Sequence, residues 1–343
     1  MSAAQEAGPD PVDEWDGVRW ARILARYRDP SPLRSALEVG LTVIPFLGLW
    51  ALAWMSLSVS IWLALALSVP IAGFLVRLFV IQHDCGHGSL FRNRALSDWI
   101  GRLLGVLTLT PYDVWKRSHA VHHASAGNLD RRGIGDVMTL TVAEYRAMSP
   151  SGRWRYRLYR NPFVMFGVGP AWLFLVQNRL PADPMKAARP VWISALGTNL
   201  ALIILLGGLL ATGGLAPILA IWLPSTLLAA SIGVWLFYVQ HQFEETSWES
   251  EADWGLHDSA LHGSSNYILP PILSWFSGNI GAHHVHHLQS RVPFYRLPEV
   301  LRDHAVLKDA QRLTLRESLA CVRLKLWDGE RRRLVSFSES EIN

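Results

Sequence analysis

Four long stretches of this chain carry almost no charge, and they limit what it can fold into. Ala36 to Met55 contains one charged residue, Glu38, and Val59 to Val80 contains one, Arg77, near the end of its block where it can snorkel to the head groups. Val191 to Thr212 and Leu215 to Gln240 contain none. A bilayer's hydrocarbon core is crossed by about 20 apolar residues, and each stretch is long enough. Buried core helices are the alternative, but four such blocks in one chain argue against them. Only 17% of all residues are charged, whereas soluble domains carry about 25%. An ordinary soluble enzyme and a disordered chain are both excluded on these grounds.

The blocks form two pairs. Ser56 to Ser58 separates the first two, and Gly213 and Gly214 separate the second two. Neither connector carries Lys or Arg. Arg19, Arg22, Arg26, Arg28 and Arg34 precede the first block, and most other basic residues lie in the middle segment and the C-terminal tail. The positive-inside rule then places both termini and the middle segment in the cytoplasm. The net charge of +4 follows from this asymmetry, and no basic motif suggests nucleic acid. The first 16 residues are acidic and contain proline, unlike a secretory signal, and residues 1 to about 14 are expected to form a disordered tail. The expected organisation is a cytoplasmic N-terminal tail and amphipathic segment over 1–35 and a membrane domain over 36–300. Its helices lie at about 36–55, 59–80, 191–212 and 215–240, and a cytoplasmic C-terminal tail covers 301–343.

Shorter apolar stretches fill in the middle. Trp99 to Leu109, interrupted by Arg102, suits a helix lying in the membrane interface with Arg102 at the head groups. Phe163 to Val176 is too short to span and reads as interfacial or re-entrant. Arg153, Arg155, Arg157 and Arg160 precede it, either at anionic head groups or on a solvated face. Pro298 to Val306 and Leu313 to Leu326 show helical spacing, and no alternation is long enough to predict a sheet. Cys85 and Cys321 are not spaced as a metal pair, and on the cytoplasmic side a disulfide is not expected. The fold class is all-α: an integral membrane protein with four transmembrane helices in two hairpins and a cytoplasmic helical cap.

The chemistry sits in the histidines. The chain has 13, and most fall in three clusters: His83-Asp84-Cys85-Gly86-His87, His119-Ala120-Val121-His122-His123 and His283-His284-Val285-His286-His287. Residues three and four apart share a helix face, so His83 and His87 converge, and so do His119, His122 and His123. His283, His286 and His287 span the narrowest arc of the third cluster, with His284 to one side. These imidazoles exceed what one ion takes, and they suit a dinuclear site with positions left open. His241, just after the fourth block, is placed to join them. His257 and His304 read as structural or surface residues. The first cluster is not a zinc-protease motif, because Asp84 stands where H-E-x-x-H has Glu. Imidazole alone does not choose among Zn, Cu, Fe and Ni. An all-imidazole pair open to O2 argues for iron, because breaking an unactivated C–H bond needs an oxidant that side chains cannot supply.

In this order, with two helices between the second and third, the clusters resemble the membrane fatty acid desaturase and hydroxylase family over about residues 36–300. HDCGHGS at 83–89, PYDVWKRSHAVHH at 111–123, YVQHQFE at 238–244 and NIGAHHVHHL at 279–288 are similar to its bacterial omega-6 (Δ12) acyl-lipid branch. The resemblance implies two iron ions held by His83, His87, His119, His122, His123, His283, His286 and His287. His241 matches an additional histidine of this branch, and Asn279 lies where some relatives place a metal-linked Asn. His284 could replace His283 as the first ligand of the third cluster. Asp84, Asp113 and Asp130 are candidates to orient imidazole N–H groups.

The resemblance further implies an O2-dependent desaturase that places a cis double bond in membrane lipid acyl chains, in the inner membrane of a bacterium with the metal site cytoplasmic. A related hydroxylase or ketolase acting on carotenoid, alkane or sphingolipid chains is the alternative. Trp115, Trp235, Phe237, Tyr238 and Phe276 are candidates to line the acyl tunnel. No nucleotide, flavin or haem motif is present, and two cysteines cannot hold a four-cysteine cluster. The electrons are therefore expected from a separate donor such as ferredoxin, docking on a basic face that includes Lys116, Arg117, Arg131 and Arg132.

Overall fold

In the computed structural model, which describes residues 16–180 and 189–341, four helices are long and apolar enough to cross a membrane. They are Pro32–Ser56, Ile61–His87, Arg189–Gly213 and Ile218–His241, paired by short connectors as the uncharged blocks predict. The expected disordered tail, residues 1 to about 14, lies outside the described residues. Ser31 caps the first helix through its hydroxyl, and Pro32 occupies the first turn, where a missing amide costs nothing. Pro45 and Pro70 sit inside the first and second helices, which membrane helices tolerate when neighbours satisfy the freed carbonyls.

The second helix is central. Most of its apolar stretch is buried inside the protein, whereas the other three turn most of theirs outward. Leu41, Ile44 and Leu47 on the first helix, and Ile193, Leu200 and Ile203 on the third, are exposed. A soluble monomer does not carry apolar faces of that extent, and here they face lipid.

Arg77 does not reach the head groups from the end of its helix. It is buried beside an equally buried Glu38. Its Nε donates to Thr42 Oγ1 at 3.1 Å, another nitrogen donates to the Trp275 carbonyl, and the guanidinium lies 3.9 Å from the centre of the Trp275 ring. Arg34 reaches the other Glu38 oxygen at 2.7 Å. Near the membrane core a lone cation is costly, and the pair removes that cost by joining the first two helices.

The cap is built from short helices, including Arg94–Leu107, Tyr112–Ser125, Leu256–His262 and His283–Leu288. Arg102, expected at head groups, instead makes a two-point ion pair with Asp113 at 3.0 and 3.2 Å. Among the described residues five strands of two or three residues also occur, too short to leave an alternating pattern. These are β1 (Leu140–Thr141), β2 (Asn266–Ile268), β3 (Arg312–Thr314), β4 (Leu326–Asp328) and β5 (Arg333–Val335). β2 pairs in parallel with β3, and β4 lies between β1 and β5. Leu313 and Leu326, read from spacing as helical, therefore sit in strands.

Arg160 is another departure. It is fully buried rather than at the surface. It donates to the Met138 and Leu324 carbonyls, Thr139 Oγ1 and Gln242 Oε1 at 2.8–3.3 Å. One guanidinium thus ties the middle segment, the end of the fourth helix and the C-terminal segment together. Lys325 Nζ donates to the Arg160 carbonyl at 2.6 Å, and burial beside Arg160 lowers its pKa to about 8.

Candidate metal centre

The second helix does not stop at the membrane surface. Its 27 residues rise to roughly 40 Å, about 10 Å beyond a typical hydrocarbon core. The first histidine cluster is therefore the last turn and a half of this helix, not a segment after it. Gly88 ends the helix with φ +64°, and the Gly88 and Ser89 amides close on the Cys85 and Asp84 carbonyls at 3.0 Å. That left-handed stop suits glycine.

The second cluster occupies Tyr112–Ser125, anchored where the Asp113 amide donates to Ser194 Oγ of the third membrane helix at 3.0 Å. The third starts at the N-terminus of His283–Leu288, where the His283 amide bonds Ser265 and Gly281 carbonyls. β2, paired with β3, fixes that segment from outside.

Nine imidazoles meet in two groups: His83, His87, His119, His123 and His286, and beside them His122, His241, His283 and His287. In each group the ligand-capable atoms lie within 4.8 Å of one another. All nine are the histidines singled out from sequence. The expectation that the second cluster points one way does not hold. His119 and His123, four apart, face one group, and His122 faces the other; His283 and His287 likewise share a group that His286 leaves. A position three residues on lies about 100° from one four residues on, so a helix between the two groups serves both.

The donor atoms fit a cation. Nε2 of His122 and Nε2 of His241 are 3.2 Å apart. His122 Nδ1 faces the Asp136 carboxylate, and His241 Nδ1 lies 3.0 Å from the Gly263 carbonyl. Both partners accept only, so both Nδ1 atoms carry the proton, and in the neutral, metal-binding form each Nε2 presents a lone pair. Two lone pairs face each other with no hydrogen between them, and a metal ion resolves the conflict. Similar Nε2 pairs at 3.0–3.1 Å join His87 to His119, His119 to His123, and His123 to His286. Burial holds the pKa values of His119, His123, His283, His286 and His287 well below the ordinary histidine value. They are neutral at pH 7, the form that binds metal.

The surroundings sort the remaining candidates. Asp84 accepts from His83 Nδ1 at 3.2 Å and from the Phe294 amide at 2.8 Å. Asp113 is committed to Arg102, and Asp130 accepts from the Glu251 amide at 2.8 Å; neither contacts an imidazole. Asn279 takes φ +56° in the turn before the third cluster, and its carbonyl accepts from the Ala282 amide. His284 belongs to neither group: its Nε2 donates to the Leu307 carbonyl at 2.8 Å. His304 packs edge-on against Trp20 and contacts Tyr27, docking the N-terminal helix Gly17–Leu24.

Trp115 stacks on His119 at 4.7 Å, and Phe237 packs against His122 and His241. Trp235 instead bonds Tyr267, Tyr238 bonds the Cys321 carbonyl, and Phe276 packs on Phe74. The expected basic face is largely paired: Lys116 with Asp98, Arg131 with Glu251 and Arg132 with Glu144. Asp136 went unnoticed in the sequence. Its signal is the Gly133-Ile134-Gly135-Asp136 turn after the second cluster.

Together these features define a helical membrane protein with a largely buried histidine cluster able to hold metal. The fatty acid desaturase family model matches residues 60–317. The chain is 45% identical over 314 residues to a fatty acid desaturase of Bacillus subtilis, covering 92% of this chain and 89% of that one. It is 32% identical to an sn-1 acyl-lipid omega-3 desaturase (ferredoxin) of Synechocystis over 64% of this chain and 61% of that one. It is 25% identical to an sn-1 oleoyl-lipid 12-desaturase of the same organism, over 76% and 72%. The chain belongs to the fatty acid desaturase family.

Proposed function

We propose that this protein desaturates acyl chains of membrane lipids, using two iron ions, O2 and electrons from a separate carrier. The observation that carries the reading is the pair of imidazole groups with opposed lone pairs, set where the ends of the second and fourth membrane helices meet the cap helices Tyr112–Ser125 and His283–Leu288. His83, His87, His119, His123 and His286 would hold one ion, and His122, His241, His283 and His287 the other. Such a pair supplies the strong oxidant that removing hydrogen from a methylene requires.

Two adjacent C–H bonds break and a C=C bond forms. O2 takes two electrons and two protons from the substrate and two of each from outside, giving two waters. The protein's part is position. The helix ends fix the imidazoles before substrate arrives, while Trp115 and Phe237 pack on ligand rings and keep water from them. The donor is an electron-transfer protein, a reading supported by the relatives whose names include ferredoxin. Both termini and the metal groups face the cytoplasm of a bacterial inner membrane, on the strength of the arginines flanking the first helix and the bacterial relative. The hydroxylase or ketolase alternative is not favoured, because the curated relatives are desaturases.

Gas chromatography with mass spectrometry of lipids from a bacterial host expressing the chain tests this. New unsaturated acyl chains that disappear with His122→Ala are expected. An unchanged profile from membrane-inserted, iron-loaded protein with a ferredoxin system present would overturn it.

A further inference from the structure

We infer that Asp136 is a positioning residue for the four-imidazole group alone, so that the two metal positions are held by separable supports. This rests on the metal reading proposed above. Asp136 is nearly buried, and one of its carboxylate oxygens lies against His122 Nδ1. The other oxygen, Oδ2, is buried without a hydrogen-bond partner. The nearest arginine in sequence, Arg132, pairs with Glu144 instead.

The turn that delivers the carboxylate is built for close approach. Gly133 and Gly135 have φ of +103° and +74°, where a side chain is strained. A Cβ at Gly135 would sit 3.1 Å from both His122 Cβ and the Ser118 carbonyl oxygen. The backbone therefore passes directly against the second cluster, and the next residue places its carboxylate on the ring.

Two consequences follow from the chemistry. Accepting from Nδ1 holds the proton there and keeps the Nε2 lone pair aimed at the group's centre, 3.2 Å from His241 Nε2. The carboxylate also adds a buried negative charge to a set of neutral donors, which strengthens the imidazole as a ligand. The five-imidazole group has its own carboxylate, Asp84 on His83, so losing Asp136 leaves that group's support intact. Removal of such a partner weakens metal retention by roughly 10- to 100-fold.

The test uses full-length protein in detergent, loaded anaerobically with ferrous iron. Release into a ferrous chelator is followed with time, and Mössbauer spectra are recorded before release. Wild type is expected to bind two irons. In Asp136→Ala, one iron should leave roughly 10- to 100-fold faster while the other leaves at the wild-type rate, and one of two iron environments should change. Asp136→Asn retains an acceptor without the charge and should fall between. Wild-type release of both irons from Asp136→Ala would overturn the inference. So would equal acceleration of both, with a lowered melting temperature of the metal-free variant, since that marks a general folding role. A wild type that binds no iron would remove the underlying metal reading, an outcome distinct from either.

Discussion

Replacing Arg77 by Met should weaken the membrane part of the protein, and replacing Glu38 with it should restore most of the loss. Both side chains are buried, and each supplies the other's charge. Truncating one partner of a buried ion pair costs about 3–5 kcal/mol, because the survivor is left uncompensated. In Arg77→Met, Glu38 keeps Arg34 at 2.7 Å, so the lower end applies, about 3 kcal/mol. Loss of the contact with the Trp275 ring at 3.9 Å adds about 1 kcal/mol. Glu38→Met leaves Arg77 with Thr42, the Trp275 carbonyl and the Trp275 and Phe294 rings, and should cost about 4 kcal/mol. The double substitution replaces both with apolar side chains, and such changes are often neutral. With single losses of about 4 kcal/mol each and a double loss under about 2 kcal/mol, the coupling should be about 6 kcal/mol. Thermal unfolding of the four proteins in one detergent measures it. At roughly 2 °C per kcal/mol for a chain of this size, each single variant should melt about 8 °C lower. Losses that simply add in the double variant would refute the pairing argument.

Other perturbations test separate features. Arg160→Met removes the guanidinium donor from four acceptors, including Gln242 Oε1 and the Leu324 carbonyl, each of which keeps one other donor. The stability loss should reach about 3 kcal/mol, and proteolysis of the C-terminal segment, read by mass spectrometry, should speed up first. Gly88→Ala forces a side chain into φ +64° and should cost about 1–2 kcal/mol in thermal unfolding. His284→Ala should leave iron content unchanged, because His284 bonds Leu307, whereas His283→Ala should reduce it; the reverse result on elemental analysis would reassign the third cluster. In the metal-free protein, buried histidines with lowered pKa bind fewer protons than in the unfolded chain. Stability should therefore be flat above pH about 6.5 and fall below it. A melting temperature that rises on acidification from pH 7 to 5 would contradict that sign.

The parts legible in the sequence were those with local signatures. The membrane helices announce themselves by uninterrupted apolar length, and the clustered imidazoles by three- and four-residue spacing. What escaped needed contacts between distant segments. Arg77 sits near one end of its block, so snorkelling looked sufficient, yet its partner lies 39 residues away on another helix. Arg160 follows exposed arginines and shares their look, but the acceptors that bury it come from residues 138, 139, 242 and 324. The sharing of the second and third clusters between two groups depends on where helices cross, which spacing within one helix does not specify. Asp136 is 14 residues from His122 and reaches it only through the two left-handed glycines.

The most direct test of the account is X-ray absorption spectroscopy of the iron-loaded protein combined with an iron count per chain. Two irons per chain, each surrounded by nitrogen and oxygen neighbours with imidazole scattering and no sulfur, is the predicted result. A single ion, or sulfur ligation drawing on Cys85, would contradict the assignment of the two imidazole groups.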